Sequence, residues 1–244
     1  RKKELEDLCN KYRSKNGQPD CIIPGSGGKD SFYASYMLKY EFGMNPITVT
    51  WAPHIYTSWG WKNFQSWIHS GFDNYLFTPN GRTHRLLTRL AIDKILHPFQ
   101  PFIVGQRIIG PMMAAKFNVK LVFYGENQAE YGNNVDENYT PTMDKKFFSV
   151  DDPMDIMLGG KSIRDIISET DFKLNDFKPY IPPKAEYLES KGVEVHYLPR
   201  KYVAEGTVIR EVVRSKFDDA YPLEAYLDTY DGYGCLLYTS DAAD

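Results

Sequence analysis

Three cysteines in 244 residues are too few and too scattered to organise this chain. Cys9, Cys21 and Cys235 are odd in number and far apart, which excludes a disulfide framework and zinc-ligand spacing and points to reduced thiols. A basic surplus is also missing. The formal net charge of −3 and pI near 6.0 argue against a general nucleic-acid binder, which carries a basic face. No apolar run approaches the roughly 18 residues that span a bilayer, and no signal-peptide pattern opens the chain. Repeats and low-complexity tracts are absent too. A cytoplasmic protein is expected, with neither a membrane nor a nucleic acid as partner.

What the chain does have is an ordinary globular balance, 42% hydrophobic and 25% charged residues. Aromatics make up 15%, with 18 Tyr, which fits stacking or sugar-contacting surfaces and fits core packing equally well. Cys21-Ile22-Ile23 reads as a short strand buried on both faces. After it, Tyr33, Tyr36, Met37 and Tyr40 fall on one helical stripe. Ile47–Thr50 and Asn74–Phe77 read as strands, with a helix over Trp59–His69 between them. Leu87, Leu90, Ala91 and Ile95 mark another helix. Phe102–Phe117 is helical but is predicted to be interrupted at Gly110-Pro111, where proline removes a backbone donor. Lys120–Tyr124 is a fourth strand and Glu194–Leu198 a last one. A short helix is predicted around Ser162–Ile167. Strands alternating with helices predict an α/β fold with a parallel sheet covered on both faces.

The stretch "PGSGGKDS", residues 24–31, lies between the first strand and its helix. A P-loop needs G-x-x-x-x-G-K-[ST], but Asp30 follows Gly28-Lys29 and Ile23 stands where the first glycine belongs. The dinucleotide fingerprint meets Asp30 at its last glycine. A nucleophile elbow would centre on Ser26, yet Pro24 replaces its first glycine. The template S-G-G-x-D-S, the pyrophosphate loop of the PP-loop ATPases, is matched in full by Ser26-Gly27-Gly28-Lys29-Asp30-Ser31. Glycines let successive N–H groups approach an anion, and the helix that follows adds its positive end. Asp30 beside phosphates implies an intervening cation, Mg²⁺. ATP and Mg²⁺ are therefore the expected cofactors.

Five segments narrow the reading: "DCIIPGSGGKDS", "NPITVTWAP", "GFDNYLFTPNGRTHRLL", "KLVFYGENQAEYGNN" and "GVEVHYLP". Together they resemble the N-acetyl sugar amidotransferases of surface-polysaccharide, lipopolysaccharide, pseudaminic and legionaminic acid biosynthesis. The likeness covers residues 20 to 198, and "YGENQAEYG" is its most specific part. It implies a Rossmann-like parallel sheet of the adenine nucleotide alpha-hydrolase type, with helices on both faces and a smaller C-terminal part. It also implies an acetamido oxygen adenylated by ATP and replaced by ammonia, giving an acetamidino group, AMP and pyrophosphate. A separate glutaminase subunit would supply the ammonia, and an N-acetylated sugar or sugar nucleotide would be the acceptor.

On this reading Ser26, Gly27, Gly28 and Ser31 cradle phosphate, Lys29 compensates charge and Asp30 holds magnesium. Glu126, Asn127 and Glu130 follow the fourth strand and would hold Mg²⁺, orient the acetamido group or take a proton from ammonia. A turn with solvated acids is the plainer reading of the same three. Thr50 and Trp51 would border the adenine, though Trp51 fits the core equally well. The histidines (54, 69, 84, 97 and 196) show no ligand spacing and are expected to pack or face solvent. Arg82, Arg85 and Arg89 share one helix face, for phosphates or for water.

The expected organisation is a helix remnant over 1–19, a PP-loop ATP-binding domain over 20–150 and an incomplete acceptor- or partner-binding part over 151–234. Residues 235–244, "CLLYTSDAAD", read as a non-native tail. Two features depart from the resembled family. Gly25 stands where Val is usual, a change that a turn is expected to tolerate at some cost in tightness, and the family's N-terminal cysteine-rich segment does not appear. Two other classes stay open, a PP-loop tRNA-modifying enzyme of the thiolase or lysidine synthetase type and a non-catalytic nucleotide-binding module.

Overall fold

A computed structural model describes residues 2–125 and 142–198. Its centre is a five-stranded, wholly parallel sheet. The strands are β1 (Cys21–Pro24), β2 (Pro46–Trp51), β3 (Asp73–Phe77), β4 (Leu121–Tyr124) and, last in the chain, β7 (Glu194–Tyr197). They lie in the order β3-β2-β1-β4-β7. Every residue of β1, β2 and β4 is buried, as continuous apolar runs require when both faces are covered. Within β1 the two-residue period is visible: Cys21 and Ile23 join one core, Ile22 the other.

The first core lies under α1 (Lys2–Tyr12), α2 (Lys29–Tyr36) and α3 (Ser58–His69). The opposite core lies under α4 (Gly81–Ile95) and α5 (Gln100–Phe117), and residues 143–197 contribute to it. These include β5 (Met157–Leu158) and β6 (Lys161–Ser162), a hairpin that the sequence reading missed, then α6 (Ile163–Glu169), α7 (Leu174–Phe177) and α8 (Ala185–Lys191). At the sheet's amino end the buried Asp20 carboxylate accepts from the backbone N–H of Ser14 at 2.5 Å and of Asn45 at 2.7 Å. This fastens the starts of β1 and β2 together. No helix among the described residues is long and apolar enough to cross a membrane.

Two local expectations are corrected. Helix α5 runs unbroken through Pro111. Proline there cannot donate to the carbonyl of Arg107, four residues back. The Tyr124 hydroxyl donates to that carbonyl instead, at 2.6 Å, and lies 3.1 Å from the Gln106 carbonyl. A side chain from the neighbouring strand thus replaces the missing helical bond. Tyr124→Phe is expected to cost about 1 kcal/mol, read as a lower denaturation midpoint in urea at an unchanged slope. The helical stripe from Tyr33 also fails at its last member. Met37–Glu41 is a π-helical turn, wider than an α turn, so Tyr40 rotates off the buried face while Tyr33, Tyr36 and Met37 stay in it.

Candidate functional site

In this strand order the chain adds β2 and β3 on one side of β1, then crosses to place β4 on the other. The carboxyl ends of β1 and β4 therefore flank a crevice at a topological switch point, where open α/β sheets bind ligands. The stretch Gly25–Gly28 leaves β1 into that crevice and α2 begins at Lys29. Gly28 is the N-cap and offers no side-chain acceptor to the first turn. The positive end of α2 thus faces the crevice.

The loop is held from beneath. Gly27 has φ +87°, and a Cβ there would meet the Asn63 carbonyl oxygen of α3 at 2.8 Å and the Phe64 Cα at 3.0 Å. Only glycine lets the loop lie directly on the α3 backbone. Trp67, also on α3, donates from Nε1 to the Ser35 hydroxyl of α2 at 3.2 Å. A side chain has no room at Gly25. The space a side chain would take is filled, with Ser31 Oγ at 2.7 Å and Trp67 at 2.9 Å. Gly25 N–H continues the β ladder beyond Pro24 by donating to Val49 O at 2.9 Å.

Ser26, Asp30 and Ser31 are all buried at the crevice. The Ser31 hydroxyl donates to Gly28 O at 3.1 Å, closing the loop onto the first turn of α2. From the other side, Gly125 follows β4 and touches that same turn. A Cβ on it would lie 2.7 Å from the Asp30 carbonyl carbon and oxygen. The structure therefore gathers Ser26–Ser31 and the exit of β4 in one place. Glu126, Asn127 and Glu130 lie outside the described residues, as does the side chain of Lys29.

Thr50 and Trp51 do not share a pocket, because successive strand residues face opposite sides. The buried Thr50 hydroxyl accepts from Asn74 Nδ2 at 3.1 Å. Trp51 belongs to the opposite core, with ring centroids 4.9 Å from Phe77 and 5.2 Å from Tyr180. Arg82 pairs with the exposed Asp171 at 2.5 Å and Arg89 with Asp93 at 3.8 Å, so these two serve a solvated face. Cys9 and Cys21 are buried free thiols. Burial raises the Cys9 pKa to about 11 and pushes Cys21 well up, which leaves both unreactive.

Sequence spacing gave no hint of a histidine pair beyond the end of β2. The rings of His54 and His84 lie 4.0 Å apart between centroids, and His84 Nδ1 is 2.5 Å from the Tyr180 hydroxyl. Among the described residues, the Nε2 atoms of both rings are buried without a partner, as is Trp51 Nε1. Burial, and then the neighbouring His54, lower His84 to about 4, and burial lowers His54 as well. Both are neutral at pH 7. A metal held by both Nε2 atoms would sit about 2 Å from each. Ring centroids as close as 4.0 Å at a 33° tilt describe stacked imidazoles instead. Among the described residues no group of three or more His, Cys, Asp or Glu could hold a metal ion. Magnesium needs less when it arrives with a nucleotide, one or two carboxylates plus the phosphates, and Asp30 supplies a carboxylate at the loop.

A family model described as a virus neck protein matches residues 183–238, of which 199–238 lie outside the described residues. An uncharacterized protein of Methanocaldococcus jannaschii is 42% identical over 48 residues, 20% of this chain and 17% of that relative. The match thus spans well under two thirds of the relative's length. Among solved structures, a predicted subunit of a tRNA methyltransferase from Methanocaldococcus jannaschii has a TM-score of 0.40 at 13% identity, covering 79% of this chain and 74% of its own. The U34-tRNA thiolase NcsA from Methanococcus maripaludis, solved with its [4Fe-4S] cluster, also has a TM-score of 0.40, at 15% identity over 94% of this chain and 71% of its own.

Proposed function

We propose that the chain is the ATP-binding part of a PP-loop enzyme that activates the amide oxygen of an N-acetylated sugar and exchanges it for ammonia. The observation that supports this most is the full S-G-G-x-D-S sequence lying at the sheet's switch point, its second residue pressed onto the α3 backbone where no side chain fits. The segments that resemble sugar amidotransferases carry the choice of substrate.

An amide oxygen is a very poor leaving group. In the proposed reaction it attacks the α phosphorus of ATP, and the bond to the β-phosphate oxygen breaks to release pyrophosphate. Ammonia adds to the adenylated imidate carbon, loses a proton to a base and expels AMP, leaving the acetamidino group. Magnesium, when bound, neutralises phosphate charge. Gly27, Gly28 and the first turn of α2 hold the phosphates by their amides. Ser26 and Ser31 orient them, Lys29 offsets their charge and Asp30 holds the metal. Glu126, Asn127 and Glu130 are the proposed acetamide-orienting and proton-accepting groups. Catalysis is then largely positioning and charge compensation. A glutaminase subunit is the proposed source of ammonia.

A second reading is a PP-loop tRNA-modifying enzyme, since the S-G-G-x-D-S loop by itself leaves the molecule to be adenylated open. One experiment separates the two. The full-length protein, with ATP, Mg²⁺ and ammonium, is assayed for pyrophosphate release against UDP-linked N-acetylhexosamines and against bulk tRNA. Sugar-dependent release is expected. Release stimulated by tRNA, or independent of sugar, overturns the amidotransferase reading; no release at all points to a binding module without turnover.

A further inference from the structure

The chain between β2 and α3 carries aromatic side chains onto the ligand edge of the sheet. A helix that follows a parallel strand starts at that strand's carboxyl end, so the first turn of α3 stands at the ligand edge of the sheet, on the β2 side of the crevice. Trp61 is on that turn and is 45% exposed, and Ile55 before it is 69% exposed. The Trp61 ring is nevertheless fixed from behind. It meets Tyr56 edge-on at 5.2 Å and Phe64 at 5.8 Å, and Tyr56 rests on Phe64 at 6.0 Å. Phe64 is a buried core residue, and its Cα is one of the atoms that exclude a side chain from Gly27. Trp61 precedes it by three residues, about one helical turn or roughly 5 Å along the axis. A rigid, one-sided indole surface therefore stands about one turn from the anion loop.

Behind that surface lies an unmet polar group. The Tyr56 hydroxyl is buried without a partner among the described residues, and burial raises its pKa to about 12, so it remains a donor at neutral pH. That desolvation cost is one that nothing in the described protein offsets. The Lys62 ammonium lies 4.4 Å from the Trp59 ring centroid on the same turns of α3 and adds positive charge there.

We infer that Trp61, backed by Tyr56, is the platform on which the pyranose ring of the N-acetylated sugar lies while its amide reaches the nucleotide. This rests on the amidotransferase reading. A pyranose has a face of C–H bonds and a rim of hydroxyls. A half-exposed indole covers the first and leaves the second in water.

The test uses the full-length protein and the pyrophosphate assay, with UDP-N-acetylglucosamine and related UDP-N-acetylhexosamines as probes. Trp61→Ala is expected to raise the KM for the sugar about tenfold while the KM for ATP stays within about twofold; Trp61→Phe recovers most of the loss. An unchanged sugar KM overturns the platform. A rise in the KM for ATP instead assigns the ring to the adenine and overturns it equally. If the wild-type protein shows no sugar-dependent release, the amidotransferase reading falls and the platform falls with it. Normal wild-type behaviour with an unaffected Trp61→Ala overturns the platform alone.

Discussion

Gly27→Ala is expected to cut pyrophosphate release by about 100-fold or more and to cost about 2–4 kcal/mol of stability, whereas Gly17→Ala costs only about 1–2 kcal/mol. Both glycines have positive φ, +87° and +77°. Both substitutions therefore pay for a left-handed backbone with a Cβ, about 1–2 kcal/mol. They differ in what the new methyl group meets. Nothing lies within 4 Å at Gly17, but at Gly27 the α3 backbone stands at 2.8–3.0 Å and cannot swing aside as a side chain would. Loop or helix must shift, and a displacement of about 1 Å at a positioning element costs on the order of 100-fold in rate. Thermal denaturation and the pyrophosphate assay on the two variants check this. Equal losses of stability would mean that the close approach to α3 carries no energy.

The second large effect is acid sensitivity. Between pH 6.5 and about 4 the protein is expected to lose about 3 kcal/mol through His84 alone, with His54 and His196 adding in the same direction. Burial depresses all three in the folded state, and for His196 the hydrogen bond to Glu194 offsets part of the effect. The unfolded chain therefore binds more protons in this window. Stability is complete above pH 6.5, falls as the pH drops, and the His84 contribution is gone below about 4. His84→Gln can still bond the Tyr180 hydroxyl. It is expected to lower stability at pH 7.5 yet to flatten the decline between pH 6.5 and 5. Urea titrations at those pH values measure it, and an unaltered slope in the variant would assign the acid loss elsewhere.

These two sites differ in how legible they were. The loop was readable because its information is local: an apolar run, glycines, then a helical stripe. The parallel sheet followed from the same alternation. The histidine pair was not readable, since residues 54, 84 and 180 are brought together only by tertiary contacts and no short-range period links them. Pro111 shows the reverse failure, a sound local rule overridden by one hydroxyl from β4. Of the two readings open for Trp51, the structure shows the core one, and the alternation along β2 turns Thr50 to the other face. Trp61 carried no motif at all. Its signal is half-exposure combined with fixed neighbours, which only coordinates reveal.

The strand order also has a consequence in time. Cys21 pairs with Pro46, and Ile47 with Asp73, so β1, β2 and β3 assemble through short loops, helped by the Asp20 carboxylate at their base. The partner of Cys21 on its other side is Leu121, about 100 residues away, and closing so long a loop is the slower event. The crevice between β1 and β4 is therefore bounded by a contact that loop-closure entropy places late in folding. A ligand that bridged it would bind the finished sheet and not its half-built precursor, and would stabilise the native state by mass action.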